Sequence, residues 1–260
     1  MMPLLSVALL LAANAGVADY RQANDFFQAG RFAEAGQALD RALTANPKLV
    51  SALTLRGKLA MAFNRFDEAR EAFTKAVKLE PDSAYTNFLL GFFHYVDNDF
   101  KQAIAPLQRA LRLNPSDSRA TFYLALTYEG LAQPETAIEY YERTLALEKA
   151  KPSAESFTAY GRLLFTLGRY AEARERIERA LKIDPKSRDA HYERGRLLFE
   201  EGKFAEAAAE GERALSVPGP GTLDRQIHFL LARAYKKTGD DDKAARHLAA
   251  FKASPVTLRR

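Results

Sequence analysis

Hydrophobic and small residues recur along this chain with helical spacing. Within residues 50–81, Leu53, Gly57 and Ala60 stand at i, i+4 and i+7, which places them on one face of a helix. A second apolar stripe follows and stops before Pro81, whose missing amide hydrogen ends a helix. That second stripe consists of Phe66, Ala69, Phe73, Ala76 and Val77. The segment therefore predicts two consecutive amphipathic helices.

Small residues mark the same pattern seven times, at intervals of 34 to 37 residues. In the first helix of each repeat they are Ala23, Gly57, Gly91, Ala125, Gly161, Gly195 and Ala232. Twelve residues later stand Ala35, Ala69, Ala103, Ala137, Ala173, Ala207 and Ala244. A third ladder runs through Ala42, Ala76, Ala110, Thr144, Ala180, Ala214 and Phe251. Helices cross closely only where side chains are small, so this period predicts a stacked array of helix pairs.

Turns and helix ends repeat in register with the ladders. The turn between the two helices carries Gly30, Asn64, Asn98, Ala132, Gly168, Gly202 and Gly239. An aromatic follows two residues later in five repeats, as Phe32, Phe66, Phe100, Tyr170 and Phe204. Four repeats close with a proline: Pro47, Pro81, Pro115 and Pro185. This combination resembles the tetratricopeptide repeat family over about residues 16–255. The resemblance implies an all-α fold, a right-handed superhelical solenoid of about seven helix-turn-helix repeats.

The register predicts repeats at 16–49, 50–83, 84–117, 118–153, 154–187, 188–224 and 225–256, with a basic tail at 257–260. Two places depart from the period. Residues 118–153 have Pro134 after the turn and an additional connection at 149–152. Residues 217–222, VPGPGT, form a Pro/Gly break that could act as a hinge.

The N-terminal segment reads as a leader. Residues 3–13 are apolar apart from Ser6, and Ala13-Asn14-Ala15 fits the small-x-small cleavage pattern. We therefore predict a signal peptide at 1–15, which implies a periplasmic or secreted protein. An apolar helix that caps the first repeat in a cytoplasmic protein is the alternative, since no Lys or Arg precedes the run.

Charge is concentrated at the C-terminal end. The net charge is +5, and residues 225–260 hold nine Lys/Arg against three Asp, or +6. Such an end attracts acidic proteins, anionic membranes or nucleic acid. A solvated outer face of a terminal repeat explains the same charge. Because the first 224 residues are nearly neutral, nucleic acid is the less favoured partner.

The resemblance places the first helices along a concave groove. On a helical wheel the stripe that faces it lies about 130° from the small-residue stripe. Midway along the chain this stripe carries Tyr85, Phe88, Phe92, Tyr95 and Phe122. In the second half it carries one arginine per repeat: Arg162, Arg196 and Arg233. Aromatics bury large areas and arginine forms forked bonds to carboxylates, so these eight residues predict a site for a segment with apolar anchors and acidic groups.

A second interpretation of the same residues is structural. The aromatics would then pack between adjacent first helices, and the arginines would pair with Glu155, Asp189 and Glu193.

No motif in the sequence indicates catalysis. There is no cysteine, so disulfides, thiolate metal sites and cysteine nucleophiles are excluded. The four histidines have no metal-site spacing, and no phosphate-binding glycine loop is present. We predict a non-enzymatic scaffold without cofactor or metal that binds a protein or peptide, with a role in bacterial envelope assembly or secretion as its setting.

Overall fold

The computed structural model describes residues 16–218 and 224–254, and within these ranges it contains fourteen α-helices and no strand. They are α1 Val17–Gln28, α2 Phe32–Ala45, α3 Val50–Ala62, α4 Phe66–Leu79, α5 Ala84–Val96, α6 Phe100–Leu113, α7 Ser118–Gly130, α8 Pro134–Leu147, α9 Ala154–Thr166, α10 Tyr170–Ile183, α11 Arg188–Glu200, α12 Phe204–Ser216, α13 Asp224–Thr238 and α14 Asp241–Ala253. Odd-numbered helices are the first helices of their pairs and even-numbered ones the second. The predicted all-α array of about seven helix pairs is confirmed.

The helices form two compact units. Unit 1 extends to Ala132 and contains α1–α7; unit 2 begins at Gln133 and contains α8–α14. Within each unit consecutive helices pack together, and each first helix also packs against the next first helix. The predicted leader at 1–15, the tail at 257–260 and residues 219–222 of the Pro/Gly break lie outside the described residues.

The small-residue ladders are buried where helices cross. Every member of the second ladder is at most 7% exposed. Glycine is required at some crossings: a Cβ on Gly57 would lie 2.6 Å from the Phe73 ring, and one on Gly91 would lie 2.5 Å from Leu107 Cγ. The close approach of first and second helices therefore depends on these residues.

The turn between first and second helices uses a left-handed residue at each predicted site. The φ angles lie between +56° and +82° at Gly30, Asn64, Asn98, Ala132, Gly168, Gly202 and Gly239. Asparagine and glycine adopt this conformation readily, whereas alanine is strained there. Ala132 thus stores backbone strain at the end of unit 1.

Two first helices are tied to the proline loop that precedes them. In unit 1, Asn87 Nδ2 donates to the carbonyl oxygen of Pro81 at 2.9 Å. In unit 2, His191 stands at the equivalent position and its Nε2 lies 3.0 Å from the carbonyl oxygen of Pro185. His191 Nδ1 also lies 2.7 Å from buried Glu210, an ion pair that raises the pKa of His191 and, with nearby arginines, lowers that of Glu210 despite its burial.

No helix among the described residues combines the length and the apolar character needed to cross a membrane.

Candidate functional site

The aromatic residues predicted from the sequence lie together in unit 1. We call Tyr85, Phe88, Phe92 and Tyr95 on α5 with Phe122 on α7 the unit 1 face. Four of these rings, those of Phe88, Phe92, Tyr95 and Phe122, meet at Tyr123 of α7, whose ring centroid lies 4.7 Å from that of Phe92 and 5.3 Å from that of Tyr95. The Phe88 and Phe122 rings lie 5.9 and 5.6 Å from Tyr123. These four rings and Tyr123 form a continuous cluster across two adjacent first helices.

Burial divides the unit 1 face into packing and accessible residues. Phe88 and Phe122 are each 6% exposed, so they hold α5 against α7 rather than meet a partner. Phe92 and Tyr95 are half-buried, and Tyr85 is 42% exposed. Both interpretations of the sequence therefore describe part of this cluster: some rings pack, and others remain open for contact.

Tyr123, the centre of this cluster, was missed by sequence reasoning. It stands two residues before the small residue of its repeat, where Leu55 and Leu89 are buried packing residues. A wheel assigns that position to the helix interface and not to the groove. Tyr123 could have been recognised as an exception, because it has a hydroxyl-bearing ring where the two preceding repeats have leucine.

Two cations border the unit 1 face. The Arg119 guanidinium lies 4.9 Å from the Phe88 ring centroid, and its hydrogen bonds to Asp117 raise its pKa. Lys58 Nζ lies 5.1 Å from the Tyr85 ring centroid and donates to the Tyr85 hydroxyl. Both cations gain from the negative faces of the rings, which holds them at the rim of the aromatic face.

The predicted arginine ladder lies in unit 2, where Arg196 and Arg233 stack on rings. We call Arg162, Arg196 and Arg233 with their partner rings the unit 2 face. The Arg196 guanidinium lies 4.0 Å from the Phe165 ring centroid of α9 and 5.8 Å from Tyr192 of its own helix. Arg233 repeats the arrangement one helix pair later, 4.2 Å from Phe199 and 5.6 Å from Phe229.

A buried acid accompanies the ladder. Glu193 is 4% exposed, and its carboxylate accepts from Arg196 at 2.7 Å. Burial raises the pKa of Glu193, while the charges of Arg196 and Arg162 oppose that rise. The structural interpretation is therefore realised for Arg196 and Glu193.

The basic C-terminal end is partly neutralised within the described residues. Lys236 pairs with Asp241 at 2.7 Å, and Lys243 pairs with Asp240 at 3.1 Å. The guanidinium of Arg225 stacks on Phe251 at 4.3 Å. Two of its lysines are thus matched by local acids, which the +6 of this segment already includes, so the polyanion-binding end stays a prediction.

In the part of the chain that the structure describes, no group of three His, Asp or Glu side chains is placed to hold a metal ion. His228 and His247 contact each other, with their Nδ1 atoms 3.0 Å apart.

Family models of the tetratricopeptide repeat match most of the chain. One matches residues 20–85, 54–115 and 158–221, a second matches 117–186, and a third matches 227–254. The comparison with curated protein sequences gave no match.

Solved structures share the fold. A tetratricopeptide repeat protein from Parabacteroides merdae ATCC 43184 is 18% identical over 94% of both chains, with a TM-score of 0.74. A chain of the APC/C hetero-tetramer Cut9-Hcn1 is 18% identical with a TM-score of 0.73; the match covers 85% of this chain and 43% of that one. YrrB, described as a TPR protein with an unusual peptide-binding site, is 22% identical over 76% of this chain and 98% of its own, with a TM-score of 0.55. At these identities the likenesses show the fold alone.

Proposed function

Because the chain belongs to the tetratricopeptide repeat family, we propose that it is a non-catalytic scaffold that binds a protein or peptide along its first helices. The family fold supports the general role of protein interaction. The finer proposal is that the partner has apolar groups that contact the unit 1 face and acidic groups that contact the unit 2 face.

One observation carries this proposal: the residue directly after the small residue of the first helix is accessible and chemically specialised in both units. In unit 1 it is Phe92, half-buried in the ring stack. In unit 2 it is Arg196 and Arg233, each stacked on a ring. Aromatic and arginine side chains are the types that dominate binding energy at interfaces, and rings already packed lose little entropy on binding.

We also propose a setting outside the cytoplasm. The support comes from the sequence: an apolar run at 3–13 is followed by the small-x-small pattern Ala13-Asn14-Ala15. The role that fits this location is assembly or secretion at a bacterial envelope. N-terminal sequencing of native protein checks this: a mature chain that starts at Gly16 or Asp19 supports it, and an intact Met1 in soluble cytoplasmic protein contradicts it.

The binding proposal is tested with a partner recovered by pull-down on the mature protein and identified by mass spectrometry. We expect Phe92→Ala to weaken binding by roughly 1–4 kcal/mol through a faster off-rate. Arg196→Glu should mainly slow association and reduce its dependence on salt, because the reversed charge acts on an acidic partner at a distance and needs no direct contact with Arg196.

Matched controls separate the face from general effects. Phe63→Ala removes a ring that is 52% exposed at the end of α3, outside the face. Arg179→Glu makes the same charge change on the exposed side of the second helix α10. If Phe92→Ala and Arg196→Glu bind like the parent while neutralisation of Lys236, Lys237, Lys243 and Arg246 abolishes binding, the basic end is the site.

A further inference from the structure

The ladder arginines differ in their counter-charges, although they share one position in the repeat. Arg196 is bound by the Glu193 carboxylate at 2.7 Å. Arg162 lies close enough to the same carboxylate to lower its pKa. Arg233 is solvent-exposed, and no carboxylate of the described residues forms an ion pair with it. The same position of the repeat therefore carries an ion-paired arginine at Arg196 and, among the described residues, an arginine without an ion pair at Arg233.

Glu193 is a buried carboxylate at a position that is buried and apolar in four other repeats. It stands two residues before Gly195, and the equivalent residues of other repeats are buried Leu55, Leu89, Ala159 and Leu230. A buried carboxylate at such a position costs free energy unless it is paired. Its pairing with Arg196 offsets that cost, so Glu193 and Arg196 are bound to each other more firmly than an exposed pair would be.

Stacking prepares Arg233 to bind an anion. A guanidinium that lies on an aromatic ring keeps its N–H groups at the edge of the plane, where a carboxylate can accept two bonds. The rings of Phe199 and Phe229, 4.2 and 5.6 Å away, restrict the side chain before any partner arrives. Less conformational entropy is then lost when the ion pair forms.

We infer that Arg233 is the anion-binding residue of the unit 2 face and takes a carboxylate of an acidic peptide, while Glu193 is a resident counter-ion that withholds Arg196 from the partner. This inference rests on the proposed function and assigns its acidic contact to one residue. Charge complementarity supports this assignment: Phe229, 44% exposed beside Arg233, supplies an apolar surface next to an unneutralised cation.

Competition with Glu193 explains why Arg233, and not Arg196, is available to a partner carboxylate. The Glu193 carboxylate is three residues from Arg196 on the same helix, so its effective concentration exceeds that of any dissolved peptide. A partner carboxylate would also have to displace a buried acid and leave it unpaired. At Arg233 an incoming carboxylate displaces only water.

The test uses two synthetic peptides and the full chain. Both peptides carry the same Phe residues among Ser spacers, and one has Glu where the other has Gln. Fluorescence anisotropy gives the affinity of the parent for each. We expect the parent to prefer the acidic peptide, and Arg233→Gln to reduce that preference by about tenfold or more, since the lost bonds are charge-assisted.

Three further variants make the assignment specific. Arg196→Gln should change the preference by less than about twofold, because its charge is already neutralised. Glu193→Gln should increase the affinity for the acidic peptide, since Arg196 then becomes available. Arg179→Gln, on an exposed second-helix surface, should have no effect. Circular dichroism checks that each variant is folded, and Arg233→Lys, which keeps the charge but loses the fork, should retain part of the preference.

Several results would overturn the inference. It fails if Arg196→Gln reduces the preference as much as Arg233→Gln, if Glu193→Gln weakens acidic binding, or if the parent does not bind the acidic peptide at about 1 mM. An oligonucleotide that displaces the acidic peptide at equal concentration would assign the site to nucleic acid instead. If both peptides bind and depend on Phe92 but not on Arg233, the proposed function stands and this inference alone is wrong.

Discussion

On the unit 1 face aromatic rings pack against one another, whereas on the unit 2 face arginines stack on aromatic rings. Phe92 of unit 1 and Arg233 of unit 2 both follow the small residue of their helix. Phe88 and Phe229 both stand three residues before it, yet Phe88 is 6% exposed and Phe229 is 44% exposed. The same backbone geometry therefore buries the ring at this position in one unit and leaves it exposed beside a cation in the other.

The largest difference should appear when the two equivalent phenylalanines are truncated. Phe88→Ala removes a buried ring and should lower the free energy of unfolding by about 3–5 kcal/mol. Phe229→Ala removes an exposed ring and should lower it by less than about 1 kcal/mol. Urea denaturation of both variants measures this. Equal losses would mean that Phe229 is as important for packing as Phe88, and the comparison would fail.

The two side chains that bind the proline loops, Asn87 in unit 1 and His191 in unit 2, should respond differently to pH. The folded-state pKa of His191 is raised above its ordinary value of 6.5 by Glu210, so its contribution to stability is full below that value and is lost as the pH rises through the raised pKa. His191→Asn should abolish this loss of stability at alkaline pH. At neutral pH it should lower the free energy of unfolding by about 1–3 kcal/mol, because Glu210 loses a buried partner.

Denaturation at about pH 6 and about pH 8.5 tests the histidine anchor. Burial and His247 lower the pKa of His228, opposite to the shift at His191. His228→Asn is therefore a control in which the loss of stability at alkaline pH should remain. Asn87, which makes the equivalent bond in unit 1, does not titrate. A parent whose stability is the same at both pH values would contradict the assignment to His191.

Equivalent glycines should tolerate a methyl group unequally. A Cβ on Gly91 would lie 2.5 Å from Leu107 Cγ and 3.0 Å from the Leu107 backbone nitrogen, so Gly91→Ala should cost about 1–3 kcal/mol. On Gly195 the nearest atom is the side-chain terminus Leu230 Cδ2 at 2.9 Å, which can move. Gly195→Ala should be nearly neutral, since alanine is favoured in a helix by about 1 kcal/mol. Equal melting temperatures would contradict this.

The smallest effect is expected at the turns. Unit 2 has glycine at its turn sites Gly168, Gly202 and Gly239, whereas unit 1 ends with Ala132 at φ 56°. Ala132→Gly should stabilise the protein by about 1 kcal/mol, and Gly168→Ala should destabilise it by a similar amount. Thermal unfolding measures both. A destabilised Ala132→Gly would show that unfolded-state entropy outweighs the relief of strain.

The fold could be predicted from the sequence because its determinants are periodic. Small residues, left-handed turns and closing prolines each specify a local geometry, and Gly57 and Gly91 are buried at helix crossings as their spacing requires. These features depend on neighbouring residues within one repeat. A single sequence with seven copies therefore contains enough information to place them.

The candidate site could be predicted only in part. Periodicity gives the direction of a side chain but not its depth, which depends on residues of the next repeat. Phe88 and Phe122 were predicted to line the groove, yet both are buried and lie against Tyr123. Glu193 was foreseen only as one of three possible partners, because helical spacing alone does not distinguish a buried acid from a solvated one.

The crossing at Gly91 joins α5 to α6, its immediate successor in the chain, and the other helix contacts in each unit join consecutive helices or consecutive first helices. Low contact order favours rapid folding, and a helix pair that gains stability only from its neighbours can nucleate at several places. A substitution at one crossing should therefore accelerate hydrogen exchange in that pair and the next, while more distant pairs of the same unit keep their protection.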